Sequence, residues 1–319
     1  MKNSNELNAV DRIEIVTLQD NYIDLTAGDN SEIVSRAREF MRGGRGTSIQ
    51  AEHGFSALIR TTKGDETKTL LFDFGFSEDG AARNAVILNV AMGQVEAMVL
   101  SHGHFDHFGG LENLVRMIDR KGIPLILHPA AFRPSRYTKS GDGLREDLPE
   151  LTRERVERAG VTLVETKDPL CLPGGHVLFL GEIARKTSFE KGMPNAYYSD
   201  DGVETWDPME DDSSIVMNLR GKGLVVLSGC AHSGIVNTVN HAVATTGIGR
   251  VHVVMGGFHL GGPLFEPLID PTTAALKNID PAYVIPCHCT GRKASVNIER
   301  EMPGQFILNM SGTKLTFSA

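Results

Sequence analysis

Short β-branched and aliphatic runs alternate with amphipathic stretches along most of the chain, which predicts mixed α and β structure throughout. The runs that read as strands are "RIEIVTL", "SALIRT", "TLLFDFG", "AMVLS", "PLILH", "VTLVE", "HVLFLG", "SSIVMNL", "GLVVLSG", "RVHVVMGG", "YVIPCHC" and "QFILN". Helical periodicity picks out "GAARNAVILNVA", "GLENLVRMIDR", "LTRERVERA", "GIVNTVNHAVATT" and "PTTAALKNI", several of them closed by glycine. No linker, repeat or low-complexity run interrupts the rhythm, so residues 1–319 read as one domain. Three stretches break the pattern: Ala27 to Gln50, Pro129 to Pro149, and Arg185 to Asp212. Loops of such length are either solvated excursions or functional lids. The last two mix rings with charge, through Phe132, Arg136, Tyr137 and Lys139 in one and Met193, Tyr197, Tyr198 and Trp206 in the other. That mixture suits a lid over the metal site that chooses a ligand as well as it suits a solvated excursion.

Composition narrows the partners. A formal charge of -8 leaves no basic footprint for nucleic acid. The four cysteines, Cys171, Cys230, Cys287 and Cys289, are too few and too late in the chain for a disulfide framework. The polar start "MKNSNELNAV" lacks an apolar signal region, and no apolar run reaches the length of a membrane span. These features lead us to expect a soluble cytoplasmic protein that acts on a small molecule.

The chemistry concentrates in "SHGHFDHFGG", residues 101–110. Three histidines and an aspartate within six positions are hard to explain by solubility or packing. His102 and His104, two apart in an extended turn, can both reach one point. Asp106 and His107, where a helix begins, face a neighbouring point. Imidazole and carboxylate together suit zinc, with iron or manganese as alternatives. One loop cannot fill two coordination spheres, and three further strands run into Gly/His turns: "GLVVLSGCAHSG", "HVVMGGFHLGG" and "YVIPCHCTG".

The HxHxDH run after a strand resembles the signature of the metallo-β-lactamase fold. The series "AEHGFSALI", "LLFDFGFS", "VLSHGHFDHFGGL", "LSGCAHSGIVN", "GGFHL" and "PCHCTG" is similar to one branch of it, the metal-dependent hydrolases often described as dihydropterin ribofuranosylaminobenzene phosphate synthases. The resemblance runs from about Asn21 to His288. It implies a four-layer αββα sandwich of the α/β (α+β) class with lid insertions. By position it makes His102 and His104 ligands of a first metal, and Asp106, His107 and His288 ligands of a second. Better-known members carry a third histidine in a Gly-His-Thr-Pro-Gly motif and a bridging aspartate in a Thr-Gly-Asp motif. Here "MEDDSSIVMNL" and "LSGCAH" stand in those places, so His232 is expected to restore the missing nitrogen ligand. Cys230 either binds as a thiolate or packs as a small hydrophobe. Asp211 and Asp212 are open between ligand, acceptor for a ligand, and solvated charge.

The same resemblance brings His53 and His259 to the active site, as groups that hydrogen-bond an oxyanion or move a proton, with Asn21 in a similar side-chain role. Asp73 reads as the carboxylate that holds a ligand histidine's other ring nitrogen. His128, His176, His241 and His252 have no motif context and read as structural. The implied activity is that of a hydrolase using hydroxide generated at one or two metal ions, with Asp106 orienting it. Its substrate would be an ester, phosphoester, lactone or activated aromatic; Arg136, Lys139, Arg185 and Lys186 beside the lid rings either draw it in or are simply solvated charge. Pterin-type phosphate chemistry and a non-catalytic ligand-binding protein are the alternatives. A homodimer is the family-level expectation.

Overall fold

The computed structural model describes residues 7–43 and 46–319. The polar opening residues 1–6, used above to argue against a leader, lie outside them, as do residues 44–45 of the first irregular stretch. An eight-stranded sheet runs in the order Thr162–Glu165, Pro124–Leu127, Ala97–Val99, Glu66–Phe72, Ser56–Lys63, Arg12–Gln19, Lys314–Ser318 and Val34–Ser35. A seven-stranded sheet runs Leu170–Cys171, Leu178–Phe179, Ser214–Leu219, Gly223–Ser228, Val251–Gly257 and Tyr283–Cys287, with Ala9–Val10 paired to Ser214–Leu219.

The period-two pattern of the strands decides how these sheets stack. Ile13, Ile15, Ala57, Ile59 and Phe72 of the first sheet meet Ile215, Met217, Val225, Leu227 and Met255 of the second in one buried cluster. The opposite faces are covered by helices. Leu18, Leu71 and Met98 pack under helices Gly80–Ile87 and Leu111–Ile118. Val226 and Val254 pack under Ile235–Thr246, Ile269–Ile279 and Arg292–Glu301. The order of layers is therefore helix, sheet, sheet, helix, as expected. Among the described residues no helix is long and apolar enough to cross a membrane.

Several sequence expectations shift. "QFILN" touches the second sheet only through the Val284–Phe306 bridge, because the chain then turns toward the first sheet, where Ser311 N donates to Tyr22 O. The first helix stops at Ile87, two residues before Asn89 takes a left-handed φ of 54°. Helix Arg292–Glu301 and strand Lys314–Ser318 were not anticipated: "RKASVNIERE" buries only Ala294 and Ile298, too thin a stripe to show a period. The two aromatic-rich stretches are not loose lids. They fold together as a four-stranded antiparallel sheet, in the order Val203–Trp206, Ala196–Asp200, Arg136–Lys139 and Arg145–Asp147.

That third sheet is pinned from beneath. Arg136 is buried and donates to Asp211 (Nη1 to Oδ2, 2.9 Å), while its Nε lies 2.8 Å from Asp207 Oδ2, close enough to pair although the N–H is not aimed at the oxygen. Tyr137 is buried against Tyr197 and donates its hydroxyl to Glu204, which also takes Lys139 at 2.6 Å. Arg136, Lys139 and Tyr137, read from the sequence as substrate-facing groups, are thus spent on the protein's own carboxylates and rings.

Candidate metal centre

The turns that carry the chemistry all leave the C-terminal ends of strands at one edge of the sandwich, where ligand sites of α/β sheets gather. Strand Ala97–Val99 runs into the turn 101–104 and the short helix Phe105–Phe108. The helix docks through Gly109 N to Gly75 O (2.8 Å) and Gly110 N to Phe74 O (3.2 Å). A β-carbon on Gly109 would stand 1.6 Å from Phe76 O, so the "FGG" step admits no side chain there. Strands Gly223–Ser228 and Tyr283–Cys287 deliver Cys230 with His232, and His288, to the same place.

Two groups of donor atoms result. His102, His104 and His232 form one; Asp106, His107, Cys230 and His288 form the other, each with its ligand atoms within 4.8 Å of one another. Within the first, His102 Nε2 and His232 Nε2 stand 3.2 Å apart, close to the separation of roughly 3.3 Å that two nitrogens on one tetrahedral zinc would have. His104 Nε2 is buried with no hydrogen-bond partner. An orphaned imidazole nitrogen in such a place is costly unless a cation occupies the point it faces. Neither Asp211 nor Asp212 belongs to either group. Asp211 instead accepts from Gly103 N (2.8 Å) and Arg136, buttressing the HGH turn, and Asp212 accepts from Ser233 N (2.7 Å). The set of imidazole, carboxylate and thiolate donors fits a first-row transition metal ion and does not fit magnesium or calcium.

Hydrogen bonds on the far side of the His102, His107, His288 and His53 rings settle their tautomers. Asp73, fully buried, accepts from Ser101 N (2.7 Å), Ser101 Oγ (2.8 Å) and His107 Nδ1 (2.7 Å). Since the Ser101 hydroxyl hydrogen goes to Asp73, its oxygen accepts from His102 Nδ1 at 2.9 Å. Both Nε2 atoms are therefore turned inward, and that of His107 faces Cys230 Sγ at 3.1 Å. Asn21 does the same across the site. Its Oδ1 accepts from His288 Nδ1 (3.0 Å) and Gly54 N (3.2 Å), and its Nδ2 donates to His53 Nδ1 (3.1 Å) and to His288 O (3.2 Å). His53 consequently carries its proton on Nε2, 3.4 Å from Asp106 Oδ2.

Burial keeps the first group neutral: it holds His102 and His232 well below the ordinary imidazole value and takes His104 to about 4, helped by nearby positive groups. His107 differs. Burial opposes its charge, but the Asp106 and Asp73 carboxylates raise it to about 9. Metal must displace that proton. Burial also pushes the Cys230 thiol well above its ordinary value, so an ion at the second group displaces two protons. Below pH 9 its affinity is thus expected to rise with pH by about a hundredfold per unit, while binding at the first group stays nearly flat above pH 5. Competition titrations against a chelator from pH 6.5 to 8.5 check this, and two equally flat profiles would contradict it.

Of the residues read from the sequence, His102, His104, Asp106, His107, Cys230, His232 and His288 converge, with His53 at the rim. His259 joins the edge through its ring, 4.2 Å from that of His232. Ser101 and Cys289 were passed over. Ser101 precedes the motif directly, and Cys287 and Cys289, either side of His288, repeat the two-residue spacing seen in HGH.

Comparison with known proteins agrees with this geometry. The family model of the metallo-β-lactamase superfamily matches residues 50–238. A 7,8-dihydropterin-6-methyl-4-(β-D-ribofuranosyl)-aminobenzene-5'-phosphate synthase of Methanocaldococcus jannaschii is 32% identical over 281 residues, covering 87% of this chain and 94% of the relative. An uncharacterized protein of the same organism is 30% identical, with coverages of 78% and 88%. The crystal structure of Tm1679, a metal-dependent hydrolase of the β-lactamase superfamily, superposes with a TM-score of 0.73 at 25% identity, over 96% of this chain and all of that one. The aligned motifs, the sandwich and the convergent ligand groups lead to one conclusion: the chain belongs to the metallo-β-lactamase superfamily.

Proposed function

We propose that the protein is a metal-dependent hydrolase of a small organic substrate, holding zinc or a similar ion on His102, His104 and His232 and a second on Asp106, His107, His288 and Cys230. The observation that carries this reading is the position of Asp106. Its Oδ2 lies 3.1 Å from His288 Nε2, 3.7 Å from His107 Nε2 and 3.4 Å from His53 Nε2. A bound ion there supplies Lewis acidity and lowers the pKa of water to about 7. Asp106 accepts a hydrogen bond from the attacking water and orients it. His53, half-exposed with its proton fixed on Nε2 by Asn21, donates to the oxyanion that develops on the substrate. No serine or cysteine nucleophile is required.

A cavity of about 330 Å³ opens beside His288, walled by Tyr22, Phe306 and Leu308, with Asn21, Arg292 and Glu299 also on its wall. That volume lies at the lower end of small-ligand sites. Its rings and guanidinium support a flat, anionic substrate such as an aryl ester or phosphoester. The test is turnover of a panel of aryl esters, phosphoesters, lactones and halogenated aromatics by metal-loaded protein. His53→Ala should lower kcat by about 10²-fold with metal content unchanged. An unchanged kcat would remove His53 from the chemistry.

Synthase chemistry of the pterin type is the second reading, favoured by the 32% identity that extends over most of the chain. Formation of the compound that relative is named for, followed by mass spectrometry, would separate it from hydrolysis.

A further inference from the structure

Strands Gly223–Ser228, Val251–Gly257 and Tyr283–Cys287 are neighbours in one parallel ladder, so the turns at their C-terminal ends lie side by side. Each turn presents one soft or borderline donor: Cys230, His259 and Cys289. Their ligand atoms lie within 4.8 Å of one another, and both cysteines are free thiols. The hydrolase reading uses Cys230 alone of the three as a ligand and leaves Cys289 without a role.

The surroundings are built around this trio. His259 and His288 both take a left-handed φ of 46°, and Ala231 one of 48°. Such angles are strained for residues with a β-carbon, and strain of this kind gathers at ligand sites. Gly257 shows how closely the sulfur has been packed: a β-carbon there would stand 2.6 Å from Cys289 Sγ. The His259 ring is held between His232 (4.2 Å) and Phe265 (4.5 Å), and its Nδ1 is buried without a hydrogen-bond partner. Two sulfurs and an imidazole nitrogen brought within 4.8 Å of one another by strained turns are more than packing requires.

We propose that Cys230, His259 and Cys289 form a third, sulfur-rich metal position, which shares the Cys230 thiolate with the Asp106, His107 and His288 group. Two thiolates and one imidazole select zinc, iron or copper(I) over manganese or magnesium and leave a fourth position open. Binding expels the thiol protons to solvent, and no oxidant is needed. The first two groups hold mostly nitrogen and oxygen, so the three positions differ in softness.

The experiment is cobalt(II) loading of the full chain, purified under reducing conditions, followed by metal analysis and near-ultraviolet absorption. The wild-type protein should take up a third equivalent. Cys289→Ser should lose one equivalent, with a marked fall in thiolate-to-cobalt charge-transfer intensity, while the two it keeps show that it folds. His104→Ala should also lose one equivalent yet keep the full thiolate absorption. Saturation of the wild type at two equivalents, or the same uptake and spectrum for Cys289→Ser, would overturn the proposal. Hydrolysis is not the readout: a fully loaded protein that turned over nothing would end the hydrolase reading and leave the third position standing.

Discussion

Asp106→Ala is expected to lower turnover by about 10³-fold or more on any substrate the protein hydrolyses, within the range that a positioned acid or base contributes together with its part in holding an ion. Three imidazoles, of His53, His107 and His288, face its Oδ2 within 3.7 Å, and among the described residues no other carboxylate joins either ligand group. Burial opposes its charge, but His107 and His288 outweigh that and hold the carboxyl well below its usual range. It is therefore ionised at every pH at which the protein works. Removing it takes the orienting acceptor from the water and an anionic ligand from the second ion. The first ion should stay, because His102, His104 and His232 do not depend on Asp106 for position. Steady-state kinetics with metal analysis of the same samples separates these effects. Substantial turnover by a loaded Asp106→Ala protein would defeat the hydrolytic mechanism. Asp106→Asn, which keeps the volume and removes the charge, should behave nearly as badly.

The largest effect on stability is expected at Arg136→Met, at about 3–5 kcal/mol. The guanidinium is 4% exposed, and the Asp211 carboxylate it grips is fully buried. Without Arg136, Asp211 keeps only the Gly103 N–H among the bonds seen here, and Asp207 loses one of its two arginines. An unpaired charge in that position costs far more than the intact pair ever gained. The double variant Arg136→Met with Asp211→Leu should recover much of the loss, since no charge is then stranded. Denaturant unfolding checks both. A single variant within 1 kcal/mol of wild type would show that the pair is replaced by water.

The pair also has a pH signature. Burial alone would raise the Asp211 pKa, but Arg136 outweighs it and brings the carboxyl to about 2. Its folded value is lower than its unfolded one, so its contribution is complete above about pH 4 and is lost as pH falls through 2. Acid unfolding of the wild type should be steeper in that window than that of the double variant. Because Asp211 also holds Gly103, the same acid step should loosen the HGH turn.

Much of the site was legible because metal chemistry restricts residue types. HGHFDH needed no tertiary information to be read as ligands, and neither did the Gly/His turns after "GLVVLS" and "YVIP". Asp73 could be assigned its role beside a histidine because buried rings need partners for their second nitrogen; Asn21, read as a substrate-facing amide, instead holds the rings of His53 and His288. Asp211 could not. Nothing in "MEDDSS" distinguishes the aspartate that takes Arg136 from its neighbour or from solvated charge, since the partner lies 75 positions away. Tyr137 and Lys139 misled for the same reason: rings and charges look alike on a lid over a ligand and on a strand packed against another strand.

By itself the sequence determined most of the elements and the ligand types, because both follow from short-range rules: period two in strands, period 3.6 in helices, and the donor atoms a transition metal accepts. The layers came only through the family resemblance. Tertiary structure alone decided which donors meet. It set Cys230 between His107 and the His259–Cys289 pair, and folded two distant irregular stretches into one sheet. Those outcomes depend on the register of strands far apart in the chain, and a one-dimensional pattern carries no record of that register.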